Sequence, residues 1–327
     1  MIGGKERSKM SETNIGSIKE PRRKKSKISP LKRRENLTAL AFISVKYLGL
    51  ILFTILPVIM ALLYSFTDYV AVAETESFFT RIDDLWCGFD NYKKLFTHIN
   101  YATYFKNAVL NNLIFMISVP FGIFIGLVVA VMLSRENRIH GSRVIRTLIY
   151  VPVVSSAVAM NIIWRYMFDN QYGIINQLFG MEINWLTDET WIKVAIIIKS
   201  AWGSIGRTMI LCLAALTNVG ADYYEAADLD GAGEITKFLK ISLPLISPTL
   251  FYLFCTGFIN NLQSYVDSQV FANGHFGAQT IVYYIWNFGI NRSYYGIASA
   301  ASFILTIGIM VITFVQFKIQ NKWVYGE

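Results

Sequence analysis

The sequence predicts an all-α, polytopic membrane protein with six transmembrane helices and both termini in the cytoplasm. Three observations carry that expectation. The 327 residues are 54% hydrophobic and only 16% charged, where a soluble globular chain carries about 25% Asp, Glu, Lys and Arg. Six segments are long and apolar enough for a bilayer, which takes roughly 20 residues. The net charge of +8 belongs to one end of the chain: residues 1–37 hold 12 Lys or Arg against 4 Asp or Glu, and residues 38–327 hold 18 of each. This composition excludes a disordered chain, a disulfide scaffold and most soluble enzymes.

The arm 1–37 is polar, and disorder is expected as far as Pro30. Its cluster Arg22, Arg23, Lys24, Lys25, Lys27, Lys32, Arg33 and Arg34 suits nucleic acid in isolation. Beside an apolar span it fits anionic lipid at the cytoplasmic face better, at about 1 kcal/mol per charge near the surface, and no nucleic-acid partner is expected. The first span, 38–66, has an apolar run longer than the roughly 7–15 residues of a signal peptide. It is read as an uncleaved anchor that leads, with an outer loop, through residues 38–106. A short interfacial or exposed helix is expected in that loop around Asn91–Phe96.

The other spans are placed at 107–134, 144–168, 191–216, 244–270 and 294–317, in a core domain 107–318 followed by a tail 319–327. Pro57, Pro120, Pro152, Pro244 and Pro248 fall within these spans, where neighbouring helices can satisfy the freed carbonyls. Gly122 and Gly126 form a GxxxG step, which ordinarily means close helix packing. Cys212 and Cys255 sit in apolar runs and read as buried small hydrophobes. With Cys87 they lack the spacing of a metal site, and none is expected.

Orientation follows from Lys and Arg, which favour the cytoplasmic side. With the amino terminus inside, the inner segments carry 20 basic residues and the outer segments 5. The inner loop 217–243 is the exception, with five acids against two bases. Asp222 is a plausible cap for a short helix through Leu229. Gly231 and Gly233 then permit a tight turn. Glu234–Ser242 suits a second amphipathic helix with Ile235, Phe238 and Ile241 on one face. Pro244 is expected in the first turn of the fifth span, where its missing N–H costs nothing. Two small alanines at an acidic tip make a docking knob for a donor-rich partner.

The loop resembles a known family. Glu225-Ala226-Ala227, Gly231, then Ile241, Leu243 and Pro244 match every fixed position of the EAA motif of bacterial ABC importer permeases, and the run through Asp230 and Gly231 resembles the carbohydrate branch. SFTDY at 65–69, CGFDNYKKLF at 87–96, GIINQLF at 173–179 and INWL at 183–186 agree with it. The resemblance covers about residues 38–325 and is closest to the first, maltose-type, permease of a sugar-importing pair. It lacks the large inserted outer domain and two extra amino-terminal spans of the maltose permease, so maltose is not implied.

The resemblance implies a type I ABC importer permease fold in the bacterial cytoplasmic membrane. It implies a heterodimer with a second permease, a cytoplasmic ATPase dimer, and an extracytoplasmic solute-binding protein that delivers a sugar or oligosaccharide. Glu225, Ala226, Ala227, Asp230, Gly231, Ile241, Leu243 and Pro244 would couple to the ATPase through a coupling helix. ATP and Mg would bind there, leaving this chain with no cofactor and no catalytic residue.

Charges within a span are expensive and mark a path or a pair. Lys199, Trp202 and Arg207 lie in the fourth span, and Asn260, Asn261, Gln263, Ser264 and Asp267 in the fifth. Positions 260, 264 and 267 share a face of an unbroken helix, with Gln263 beside it. That stripe suits hydroxyl-rich cargo, on which Trp202 would stack; interhelical hydrogen bonding is the competing reading. At 1.5 Å per residue an unbroken helix puts Asp267 about 35 Å from Pro244 and Lys199 about 12 Å from the start of its span. The two can therefore meet in depth, with Asp267 a structural counter-charge. Arg207, deeper, is assigned to an inner gate or to headgroups. Ser156, Asn161, Ser299 and Ser302 are weaker contacts. Another small solute such as glycerol-3-phosphate is the near alternative. A membrane enzyme has little support, since His98, His140 and His275 have no paired carboxylate, and the EAA loop argues against a channel.

Overall fold

The computed structural model describes Thr38 and residues 43–70, 82–134 and 141–325. The basic arm 1–37 and His140 lie outside the described residues. The chain divides into two compact units, Met1–Pro57 and Val58–Glu327. In the first, the described residues are helical, with a π-turn at Ile51–Ile55 that buries no side chain. In the second, the elements are helical apart from isolated β-bridges joining Thr67 to Trp86 and Val70 to Tyr294.

Among the described residues, four helices are long and apolar enough by themselves to cross a membrane: Ile43–Ser65, Ile99–Ser134, Glu189–Thr217 and Tyr295–Gln320. Two bent pairs raise that to as many as six. The expected outer-loop helix is α1 (Asp90–Thr97), whose Asn91 and Leu95 are buried. It is therefore amphipathic rather than free-standing. The Asn91 amide donates to the Ser65 and Thr67 carbonyls at 3.1 and 2.8 Å.

The second span starts earlier than expected and is interrupted: α2 (Ile99–Phe115) gives way to α3 (Ser118–Ser134). Pro120 cannot donate to the Met116 carbonyl and its ring crowds that carbonyl, so the ladder slips and Val119 N–H bonds Met116 instead. The freed Phe115 carbonyl accepts from Ser118 Oγ at 2.7 Å and from Asn261 Nδ2 at 3.1 Å.

The third span, 144–168, is not one helix. α4 (Ser142–Val154) and α5 (Ala157–Met167) meet at 103°. Pro152 removes a ladder donor. Ser155 Oγ then donates to the Val151 carbonyl at 2.8 Å, Ser155 is extended, and Ser156 also leaves the helical region. The fourth span is a single 29-residue helix, α6 (Glu189–Thr217), capped by Asp188, whose carboxylate accepts from the Thr190 and Trp191 amides.

The acidic loop folds as α7 (Ala221–Leu229), a turn, and α8 (Glu234–Lys237), which continues through a π-turn Phe238–Ser242 to Leu245. Two expectations are corrected here. Gly220, not Asp222, is the N-cap, and Asp222 sits in the first turn, where it still faces the positive end of the dipole. Pro244 lies at the end of the helical run Glu234–Leu245 rather than in the first turn of the next helix, and the π-turn widens the helix so that Leu243 N–H reaches Phe238 O. The main helix of the expected fifth span, α9 (Ser247–Leu262), opens one bend later with Pro248 in its first turn, at 63° to the preceding helix. It ends at Leu262, so the chain through Asp267 is not an unbroken helix. After α10 (Ile281–Trp286) comes α11 (Tyr295–Gln320).

Three apolar clusters hold these pieces. Val119, Ile123, Met209, Leu213 and Leu253 join α3, α6 and α9. Trp164, Phe168, Trp185, Ile196 and Phe271 close the other end of α6. Leu95, Phe105, Tyr284 and Ile297 join α1, α2, α10 and α11. The GxxxG step places α3 against α6: a Cβ at Gly122 would collide with Ser204 Oγ, and one at Gly126 would lie 2.6 Å from Thr208 Cβ.

Candidate functional site

The breaks in the third and fifth spans open a cavity of about 470 Å³ against the middle of α6. Irregular backbone at membrane depth is tolerated where it lines such a space. Of the expected path residues, Lys199, Trp202, Asn260, Asn261 and Ser264 line it, as do Arg207 and Asp267. Gln263 does not. It is the residue at which α9 stops, and its side chain is exposed. The expected shared face of 260, 263, 264 and 267 therefore fails as a helical stripe, although three of the four still reach one cavity through the turn after Leu262. Ser155 lines the cavity in place of Ser156, and Asn161 joins it, whereas Ser299 and Ser302 lie elsewhere.

At one end of the cavity Lys199 and Asp267 form an ion pair. Lys199 is 8% exposed and also donates to Asn161 Oδ1 at 2.9 Å. Asp267 Oδ2 accepts from Ser264 Oγ at 3.1 Å and from Ser200 Oγ at 3.5 Å. A buried charge is tolerable only with such a complete set of partners, so Lys199 is not a free cation facing cargo. Asn261 is also partly occupied: its side-chain amide donates to Phe115 O and to Ser118 Oγ and its backbone carbonyl accepts from Asn112 Nδ2, while its Oδ1 has no partner among the described residues. Asn260 has no such tie among the described residues. The Trp202 ring stands edge-on to Trp164 at 5.2 Å.

The EAA loop is a separate site, built for exposure. α7 buries no residue, and Glu225 and Ala226 are exposed beside a half-buried Ala227. Leu229 is 90% and Ile235 76% exposed, so Ile235 leaves the face expected to be shared with the half-buried Phe238 and Ile241. Gly231 adopts φ +71°, and the helix ends in a Schellman motif. Ala232 N–H bonds Ala227 O at 2.9 Å and Gly231 N–H bonds Asp228 O at 3.0 Å. This is the physical reason for glycine at that motif position, because a left-handed residue with a Cβ is strained. Asp230 is the C-cap, and Leu243 and Pro244 lie in the helical run that follows. Lys237 binds Asp228 and, at 3.6 Å, Glu234, and the Asp228 carboxylate raises the ammonium above the usual lysine range. Tyr224 and Ser242 share a hydrogen bond of 2.8 Å. The two helices are thereby held as one rigid knob.

Residues 118–324 match the family described as the binding-protein-dependent transport system inner membrane component. The chain belongs to this family. It is thus a permease, a multi-pass component of the inner membrane rather than an enzyme. It is similar to the probable ABC transporter permease protein YesP of Bacillus subtilis (strain 168), with 31% identity over 305 residues, covering 90% of this chain and 94% of that protein. The lactose transport system permease protein LacF of Rhizobium radiobacter is 33% identical over 225 residues, 65% of this chain and 75% of that one. The fold matches a chain in the crystal structure of a bacterial alginate ABC transporter in complex with an alginate pentasaccharide-bound periplasmic protein. There the TM-score is 0.72 at 22% identity, covering 89% of this permease and 96% of that chain.

Sequence reasoning missed several residues of both sites. Asn112 bridges the Asn261 carbonyl and the Ile281 amide, and Ser200 supports Asp267. In the loop, Lys237 and Tyr224 make the clamp. Each acts across a turn or between helices distant in sequence, where periodicity carries no signal. The one available hint was Lys237 as one of two bases among five acids.

Proposed function

We propose that this permease is the first of a pair that imports a sugar or oligosaccharide by alternating access, driven by a separate ATPase that binds ATP and Mg. The observation that carries the reading is the cavity. Amides and hydroxyls from Asn161, Asn260, Ser200 and Ser264, beside the Trp202 ring, supply what a saccharide needs: donors and acceptors for its hydroxyls and an apolar surface for its ring. LacF is named for lactose and the alginate transporter for a polysaccharide, which supports the same class.

In this reading both termini and loop 217–243 face the cytoplasm, six spans cross the membrane, and the basic arm meets anionic lipid. The knob carrying Glu225, Ala226 and Ala227 seats in a groove of the ATPase, whose closure rocks the permease pair. The solute-binding protein delivers cargo from the opposite face. The test is co-expression of the chain with its partner permease, ATPase and binding protein in proteoliposomes. Loaded binding protein should stimulate ATP hydrolysis and saccharide uptake together. Absence of stimulation sinks the transporter reading, and stimulation without saccharide uptake sinks the cargo class.

A further inference from the structure

We infer that the cargo carries a carboxylate, and that Arg207 is the residue that selects for it; this rests on the reading of the cavity as a saccharide site. The charged residues lining the cavity are Lys199, Arg207 and Asp267. Two of them cancel. Asp267 is bound to Lys199 through one oxygen and to Ser200 and Ser264 through the other, so its single charge is already paired. Arg207 remains half-buried on α6, and its guanidinium makes no hydrogen bond or ion pair with any described residue. The guanidinium is a permanent cation, and an uncompensated charge at membrane depth marks a path or a missing partner.

The surroundings specify the partner. Gly203 lies one turn before Arg207 and also lines the cavity. A Cβ there would meet nothing within 4 Å, so bare backbone is open to close approach by a ring. Hydroxyls and amides, with apolar side chains such as Val153, Met160 and Leu253, complete the wall. A single guanidinium fork matches a single carboxylate, which it can bind through two parallel hydrogen bonds. A phosphate monoester brings about 1.5 to 2 negative charges and would need Lys199 as well, which Asp267 already neutralises. A zwitterion would need a free acid, and the cavity offers none. A uronate, a sugar with one carboxylate per ring, meets each condition.

The test uses the assembled transporter in lipid nanodiscs, titrated by calorimetry with galacturonate, its methyl ester, lactose and glycerol 3-phosphate. Galacturonate should bind about tenfold more tightly than its ester, the size expected for one charge-assisted pair. That comparison needs no variant. Arg207→Gln should erase the difference, and Arg207→Lys should keep most of it. Equal binding of acid and ester, or a difference that survives Arg207→Gln, overturns the inference while leaving the carbohydrate reading intact. Binding of glycerol 3-phosphate with no saccharide binding overturns both.

Discussion

Lys199 and Asp267, 68 residues apart in sequence, form an ion pair on the wall of the cavity. Their contact joins the middle of α6 to the segment after α9 and closes the gap left where α9 ends. Asp267→Asn leaves a buried ammonium without its counter-charge. The cost should be about 3 kcal/mol, the low end for a broken buried pair, because the Asp267 side chain keeps 20% of its exposure. Lys199→Met with Asp267→Leu should recover most of that loss. Thermal unfolding of the purified complex separates the two, and equal destabilisation by both variants would contradict the pairing argument.

Asn260 and Gln263 should behave differently although they are one helical turn apart. Asn260→Leu removes a cavity amide and is expected to lower uptake roughly tenfold, the cost of leaving one cargo hydroxyl unpaired, with complex assembly unchanged. Gln263→Leu alters an exposed side chain outside the cavity and should leave uptake within twofold of wild type. Uptake rates in proteoliposomes check both, and a loss confined to Gln263→Leu would move the cargo site.

Glu225→Lys reverses the charge of an exposed knob residue that buries nothing, so the protein should still fold and insert. Transport is expected to uncouple from ATP hydrolysis, seen as loss of uptake with the permease still recovered from the membrane fraction. Normal import by this variant would refute the coupling role of the loop.

Gly126 and Gly231 are needed for different reasons, and substitution should show it. Gly126→Leu drives a side chain into Thr208 and the Ile205 carbonyl, overpacking that costs about 1–3 kcal/mol and lowers thermal stability. Gly231→Ala meets no neighbour within 4 Å but strains a left-handed residue, at about 1 kcal/mol. Its effect should be local, visible as faster hydrogen exchange at the Gly231 and Ala232 amides, with global unfolding little changed.

Much of this permease was legible in the sequence because its signals are local. The bilayer demands long apolar runs, so composition alone revealed the helical class and the approximate spans. The EAA spacing encodes a helix, a left-handed glycine and a second helix, each a matter of a few consecutive residues. The outer-loop helix at Asp90–Thr97 was readable for the same reason. What the sequence left undecided was where helices stop being straight. Pro152 and Pro248 announce a lost hydrogen bond but not a 103° or a 63° bend, since neighbouring side chains decide whether a freed carbonyl is satisfied in place. Only the tertiary structure ended α9 at Leu262 and placed Gln263 outside the cavity. The approach of Lys199 to Asp267 was already legible from helical rise, and the structure added the contact itself, with Asn161, Ser200 and Ser264 gathered around it, because those partners come from three separate segments of the chain.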